Sequence, residues 1–84
     1  MSATAKPPEL FLAIAIRLYR LQLGISQEDL ALKIKMKPSE LSRIESGRRN
    51  PTLRMMTRVA TGLGIPCSRL VLVAERLQTA MELP

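Results

Sequence analysis

The stretch from Ile25 to Gly47, ISQEDLALKIKMKPSELSRIESG, limits what this chain can fold into more than any other. It reads as two short helices joined by a tight turn. Ser26 suits the cap of the first, because its hydroxyl can accept from an N–H that the opening turn leaves unpaired. Glu28 and Asp29 follow, where negative charge meets the positive end of the helix dipole. Leu30, Ala31 and Ile34 share one face at helical spacing. Lys35, Met36 and Lys37 form the connection. Pro38 opens the second helix, since its missing N–H would go unpaired there anyway. Leu41 and Ile44 give that helix one narrow apolar stripe, and Gly47 ends it in a left-handed conformation.

The side of the second helix away from Leu41 and Ile44 carries Ser39, Glu40, Ser42 and Arg43. Short polar side chains allow close approach to a surface. Arg43 offers the planar, two-pronged hydrogen bond that reads guanine in a major groove. Taken alone, this face favours a plain solvated surface. Its surroundings decide. The chain has 13 basic against 7 acidic residues, a net charge of +6. Lys33, Lys35, Lys37, Arg43, Arg48, Arg49, Arg54 and Arg58 fall between positions 33 and 58, with only Glu40 and Glu45 among them. A basic patch wrapped around such a helix pair points to a nucleic acid. Phe11 and Tyr19 are the only aromatic residues, both in the first helix. Readers of single strands and of RNA stack bases on exposed aromatics, so duplex DNA is the expected partner.

Other classes recede. A chain of 84 residues with 46% hydrophobic content is one small domain with one core. One cysteine and no histidine exclude an internal disulfide and an ordinary zinc site. Cys67 is expected to pack rather than react. No Gly-rich phosphate loop or metal-ligand set supports catalysis, and no cofactor is expected. No apolar run approaches the roughly 18 residues of a membrane span. The opening MSATAKPPEL lacks the pattern of a signal peptide, so a cytoplasmic protein is expected.

Residues 1–8 read as a flexible arm, and 9–84 as the single domain. A first helix is expected from Glu9 to Leu23 with two apolar stripes: Leu12, Ala13, Ile16, Tyr19 and Leu23 on one side, Leu10, Phe11, Ile14, Leu18 and Leu21 on the other. Ser46 to Pro51 is a turn by composition. Arg48 and Arg49 in it are placed to touch phosphates. Thr52 caps a fourth helix whose stripe is Leu53, Met56, Val59, Ala60 and Leu63, closed by Gly64. A fifth runs from about Cys67 to Met81, with Leu70, Val73, Ala74, Leu77 and Met81 on one stripe and Val71 and Leu72 off it. Helices 1 and 5 carry more apolar surface than a monomer covers, which marks an interface.

Ile16-Arg17, Arg20, Gly24 to Ala31 (GISQEDLA), Leu41 to Gly47 (LSRIESG), Pro51-Thr52-Leu53, Val59-Ala60 and Leu63-Gly64-Ile65 together resemble the lambda repressor-like, Xre/Cro-type helix-turn-helix DNA-binding family, which includes restriction–modification controller proteins. The resemblance implies an all-α, compact five-helix domain with the helix-turn-helix at helices 2 and 3. It implies base contacts from Lys37, Pro38, Ser39 and Arg43, on the face that also carries Ser42. It implies backbone contacts from Ser26, Gln27 and Ser46, with Lys35 adding charge beside them. It further implies a structural ion pair between Arg20 and Glu45, and favours dimerisation through the C-terminal segment, where Leu72, Leu77 and Met81 are the candidates, with the surplus stripe of helix 1 (Ile14, Leu18 and Leu21) as the other candidate surface. Two positions depart from the family pattern: Lys35 stands where Gly is usual, and Lys37 where a small polar cap is usual.

The expected function is a sequence-specific regulator on duplex DNA, acting as a homodimer on a near-palindromic operator and controlled by its own concentration. The alternatives are a DNA-binding antitoxin whose surplus stripes hold a toxin, and a helix-turn-helix module that binds only protein.

Overall fold

The computed structural model describes residues 8–82, and the arm expected before them lies outside that range apart from Pro8. Five helices follow one another: α1 (Pro8–Leu23), α2 (Gln27–Lys33), α3 (Pro38–Glu45), α4 (Leu53–Leu63) and α5 (Cys67–Glu82). The architecture is all-α, as expected. Pro8 belongs to α1 rather than to an arm, because proline fits the first position of a helix.

The helix ends follow local chemistry. Ser26 Oγ accepts from the Asp29 amide at 2.9 Å, and Thr52 Oγ1 from the Met55 amide at 3.1 Å. Four ends share one device, in which a left-handed residue lets two successive amides turn back on the last helical turn. At α1 these are Gly24 to Leu21 O and Ile25 to Arg20 O. At α3 they are Gly47 to Ile44 O and Arg48 to Arg43 O, and at α4 Gly64 to Thr61 O and Ile65 to Ala60 O. At α2 they are Lys35 to Leu32 O and Met36 to Ala31 O. Three of these ends use glycine, with φ between 71° and 75°; the fourth uses Lys35 with φ 55°. A side chain in that region costs roughly 1–2 kcal/mol.

The core gathers Phe11, Leu12, Ala15 and Ile16 of α1 with Leu30, Ala31 and Ile34, Met36 of the turn, Leu41 and Ile44 of α3, Val59, Ala60 and Leu63 of α4, and Leu70 and Ala74 of α5. Each large side chain so enclosed contributes about 1.5–3 kcal/mol. Neither stripe expected for α1 survives as drawn. Phe11 and Ala15 join Leu12 and Ile16 inside, because α3, α4 and α5 all pack against α1 and bury more than one face. Towards its C-terminal end Leu18, Leu21 and Leu23 are exposed, while Arg20 turns inward. On α4 the stripe begins at Met56. Leu53, the first residue of the helix, is 73% exposed. On α5, Leu70 and Ala74 are buried, Val73 and Leu77 pack against the core edge, and Met81 is exposed.

Gly62 sets how closely α4 can approach α2. A Cβ built there would lie 2.4 Å from Ile34 Cγ2 and 2.9 Å from Leu30 Cδ1. Both neighbours are themselves buried, so no side chain fits at position 62 without moving α2. Among the described residues no helix is long and apolar enough to cross a membrane.

Candidate nucleic-acid interface

Residues alternate in duty along α3. Leu41, Ile44 and Glu45 turn inward and are buried. Lys37, Pro38, Ser39, Ser42 and Arg43 are exposed. Among the described residues, none of the Lys37, Ser39, Ser42 and Arg43 side chains makes a hydrogen bond within the chain. Lys37 is the residue that precedes the helix, with extended backbone (φ −65°, ψ 135°) and no side-chain cap bond, so its ammonium stays free at the helix tip. Ser39 and Arg43 are one turn apart and share a face.

The residues flanking this face differ among themselves. Ser26 is exposed while its hydroxyl caps α2, and Gln27 is half-buried beside it. Lys35 is exposed on the turn. Ser46 is exposed, and its hydroxyl donates to Arg43 O at 3.0 Å. Arg48 is exposed on the loop after α3. Arg49 behaves otherwise: its Nε is buried with no partner, and Nη2 lies 3.9 Å from Met55 Sδ. Its guanidinium leans on α4 instead of standing clear in solvent.

The C-terminal end of α3 is held from α1. Glu45 has a fully enclosed carboxylate, met by Arg20 Nε at 3.0 and 3.2 Å and by Arg20 Nη2 at 3.0 Å. Arg20 Nη1 also donates to Ile25 O at 3.0 Å, so one guanidinium spans the loop before α2 and the end of α3. Arg17 Nη2 adds a bond to Glu45 O at 3.2 Å, where a cation also favours the negative end of the helix dipole.

The turn before α3 is held from α4 by a residue that reading the sequence assigned only to the basic patch. Arg58 Nη2 donates to the carbonyls of both Ile34 and Lys35, the latter at 2.6 Å. Local pattern carries no trace of this contact across more than twenty residues. The one available signal was the non-glycine at position 35, which implies a compensating contact elsewhere.

The helix-turn-helix family profile matches residues 16–70. The restriction-modification controller protein C.AhdI from Aeromonas hydrophila is 31% identical, covering 74% of this chain and 94% of its own, with a TM-score of 0.72. The clp gene regulator ClgR from C. glutamicum is alike in fold, with 24% identity, coverage of 89% and 96%, and a TM-score of 0.83. So is the restriction-modification controller protein C.Esp1396I, solved as a tetramer with its natural 35 base-pair operator, at 24% identity, coverage of 88% and 97%, and a TM-score of 0.81. No curated protein matches the chain. The family match over residues 16–70 makes this a DNA-binding transcription regulator. The chain belongs to the helix-turn-helix family, of the lambda repressor-like kind.

Proposed function

We propose that this protein is a cytoplasmic homodimeric regulator that recognises a near-palindromic duplex operator by sequence and controls its own gene. The observation that carries the reading is the outer face of α3, where Lys37, Ser39, Ser42 and Arg43 are exposed and free of bonds to the described residues. Arg43 reads a base edge, at guanine, and Ser39 meets the neighbouring pair. Pro38 has no donor and offers apolar contact to a thymine methyl. Ser26, Gln27, Lys35, Ser46, Arg48 and Arg49 serve the phosphates. Arg49 reaches them by releasing Met55.

Leu72 and Met81, both exposed on α5, serve the contact between copies, with Leu77 at its edge. Two α3 helices would then meet half-sites about 34 Å apart. Likeness to controller proteins makes the DNA upstream of the protein's own gene the first operator to test.

The test is a gel shift on that upstream duplex against a scrambled duplex of equal length, repeated over a salt series. Preferential binding is expected, with log affinity falling by about 0.9 per phosphate neutralised for each decade of salt. Equal affinity for both duplexes would remove sequence recognition from the reading. A flat salt response would remove the phosphate contacts.

A further inference from the structure

We propose that Arg58, on α4, is a positioning residue for DNA recognition: it clamps the left-handed turn at Lys35 and so sets the direction in which α3 leaves it. The proposal rests on α3 being the reading helix.

Four helices end in the same left-handed device, and three of them place glycine there. The turn that aims α3 places Lys35 instead, at φ 55°. That turn alone among the four has an arginine from another helix on the carbonyls either side of its left-handed residue: Arg58 Nη2 donates to Ile34 O and to Lys35 O, whereas Arg17 at the end of α3 reaches only Glu45 O, two residues before Gly47. Carbonyls at a helix C-terminus lack partners within the helix, and they sit at the negative end of its dipole. A guanidinium satisfies both needs at once. Arg58 therefore bonds the peptide groups on both sides of the Lys35 α-carbon. The conformation of that residue is thus held from outside, where the other three ends rely on the freedom of glycine.

The second contact comes one helical turn along α4. Gly62 lets Ile34 and Leu30 lie against the α4 backbone, with no room for a Cβ. Positions 58 and 62 share a face of α4. One grips the turn by charge and the other fixes its distance by shape. Lys37, Pro38 and Ser39 begin only two residues beyond Lys35, so a rotation there swings the whole base-reading face. Arg58 thus acts on base selection through the Lys35 peptide groups, without touching DNA.

The experiment uses the full chain and two duplex probes: the best binder selected from a random-sequence pool, and an unrelated duplex of equal length. The quantity read is the ratio of the two affinities, in which phosphate contacts common to both probes largely cancel. Arg58→Met is expected to lower that ratio roughly tenfold, the loss that goes with a charge-assisted hydrogen bond. Arg58→Lys, a single point donor, is expected to lower it less. In a Lys35→Gly background, where the left-handed turn needs no clamp, Arg58→Met is expected to change the ratio by less than about threefold. If Arg58→Met alone proves too unstable to assay, Arg58→Lys and the Lys35→Gly pair carry the comparison. An unchanged ratio in Arg58→Met or Arg58→Lys would overturn the proposal. So would equal weakening on both probes with a shallower salt slope, which would make Arg58 a phosphate contact. So would an Arg58→Met loss of the same size with and without Lys35→Gly. The wild-type chain, Arg58→Met, Lys35→Gly and the double variant, unfolded by urea, report the 35–58 coupling with no DNA present. If the wild-type chain selects no duplex, the reading of α3 fails, yet a coupling near zero in urea would still overturn the clamp on its own.

Discussion

Arg20 and Glu45 form a two-pronged ion pair between α1 and the last residue of α3, with the carboxylate wholly enclosed and the Arg20 side chain 13% exposed. Arg20→Met would strand that carboxylate. The expected loss is about 3–5 kcal/mol, the usual cost of breaking one side of a buried pair. Arg17 makes the instructive contrast, since its side chain is 54% exposed and its ion-pair distance to Glu45 is 4.0 Å. Arg17→Met should cost only about 0–1 kcal/mol. A urea denaturation series on both variants checks the ranking, and equal losses would contradict it.

Gly62→Ala tests the approach of α4 to α2. The new methyl would meet Ile34 Cγ2 far inside contact distance, with Leu30 closing the other side. Overpacking of this kind costs about 1–3 kcal/mol. Thermal unfolding should show the drop. A variant as stable as the parent would mean that the two helices separate freely.

Arg43 and Arg49 should part company in DNA binding. Arg43→Ala is expected to cost roughly 1–3 kcal/mol on the preferred duplex and to flatten preference at one position per half-site. Arg49→Ala should weaken binding to every sequence and reduce the salt slope by about one unit. Titrations of both variants against preferred and unrelated duplexes at several salt concentrations separate them. Equal loss on both duplexes for Arg43→Ala would make it a phosphate clamp.

Leu72→Glu is the cleaner probe of self-association. Leu72 is 41% exposed, whereas Leu77 packs against the core edge, so a charge at 77 would disturb the fold as well as any interface. Light scattering is expected to give a monomer mass for Leu72→Glu where the parent gives a dimer, with stability changed by no more than about 0.5 kcal/mol. A parent that is monomeric at tens of micromolar would end the dimer proposal.

What could be read in advance follows the range of the forces concerned. Ser26, Thr52, Gly47 and Gly64 act on their own helix ends, and their neighbours in sequence announce them. The inward face of α3, Leu41 with Ile44, was legible from spacing alone. The partnership of Arg20 with Glu45 was open only through family resemblance, because twenty-five positions separate them. Arg58 is legible only as one of the basic patch, since its duty is to main-chain oxygens that any residue supplies. The stripes of α1 were misdivided for a related reason. Periodicity finds one buried face, whereas Phe11, Leu12, Ala15 and Ile16 are shared among several neighbouring helices.

The alternation along α3 has a consequence for how such a protein can change. Leu41, Ile44 and Glu45 answer to the core and to Arg20, and a mutation at any of them endangers the whole domain. The side chains of Ser39, Ser42 and Arg43 are exposed and make no hydrogen bond to the described residues. Drift at these three positions is therefore nearly silent for folding, and on the proposed reading of α3 its effect would fall on which duplex is chosen. A duplicated copy of this gene could acquire a new target by exchanging three codons, and the scaffold that presents them would not register the difference.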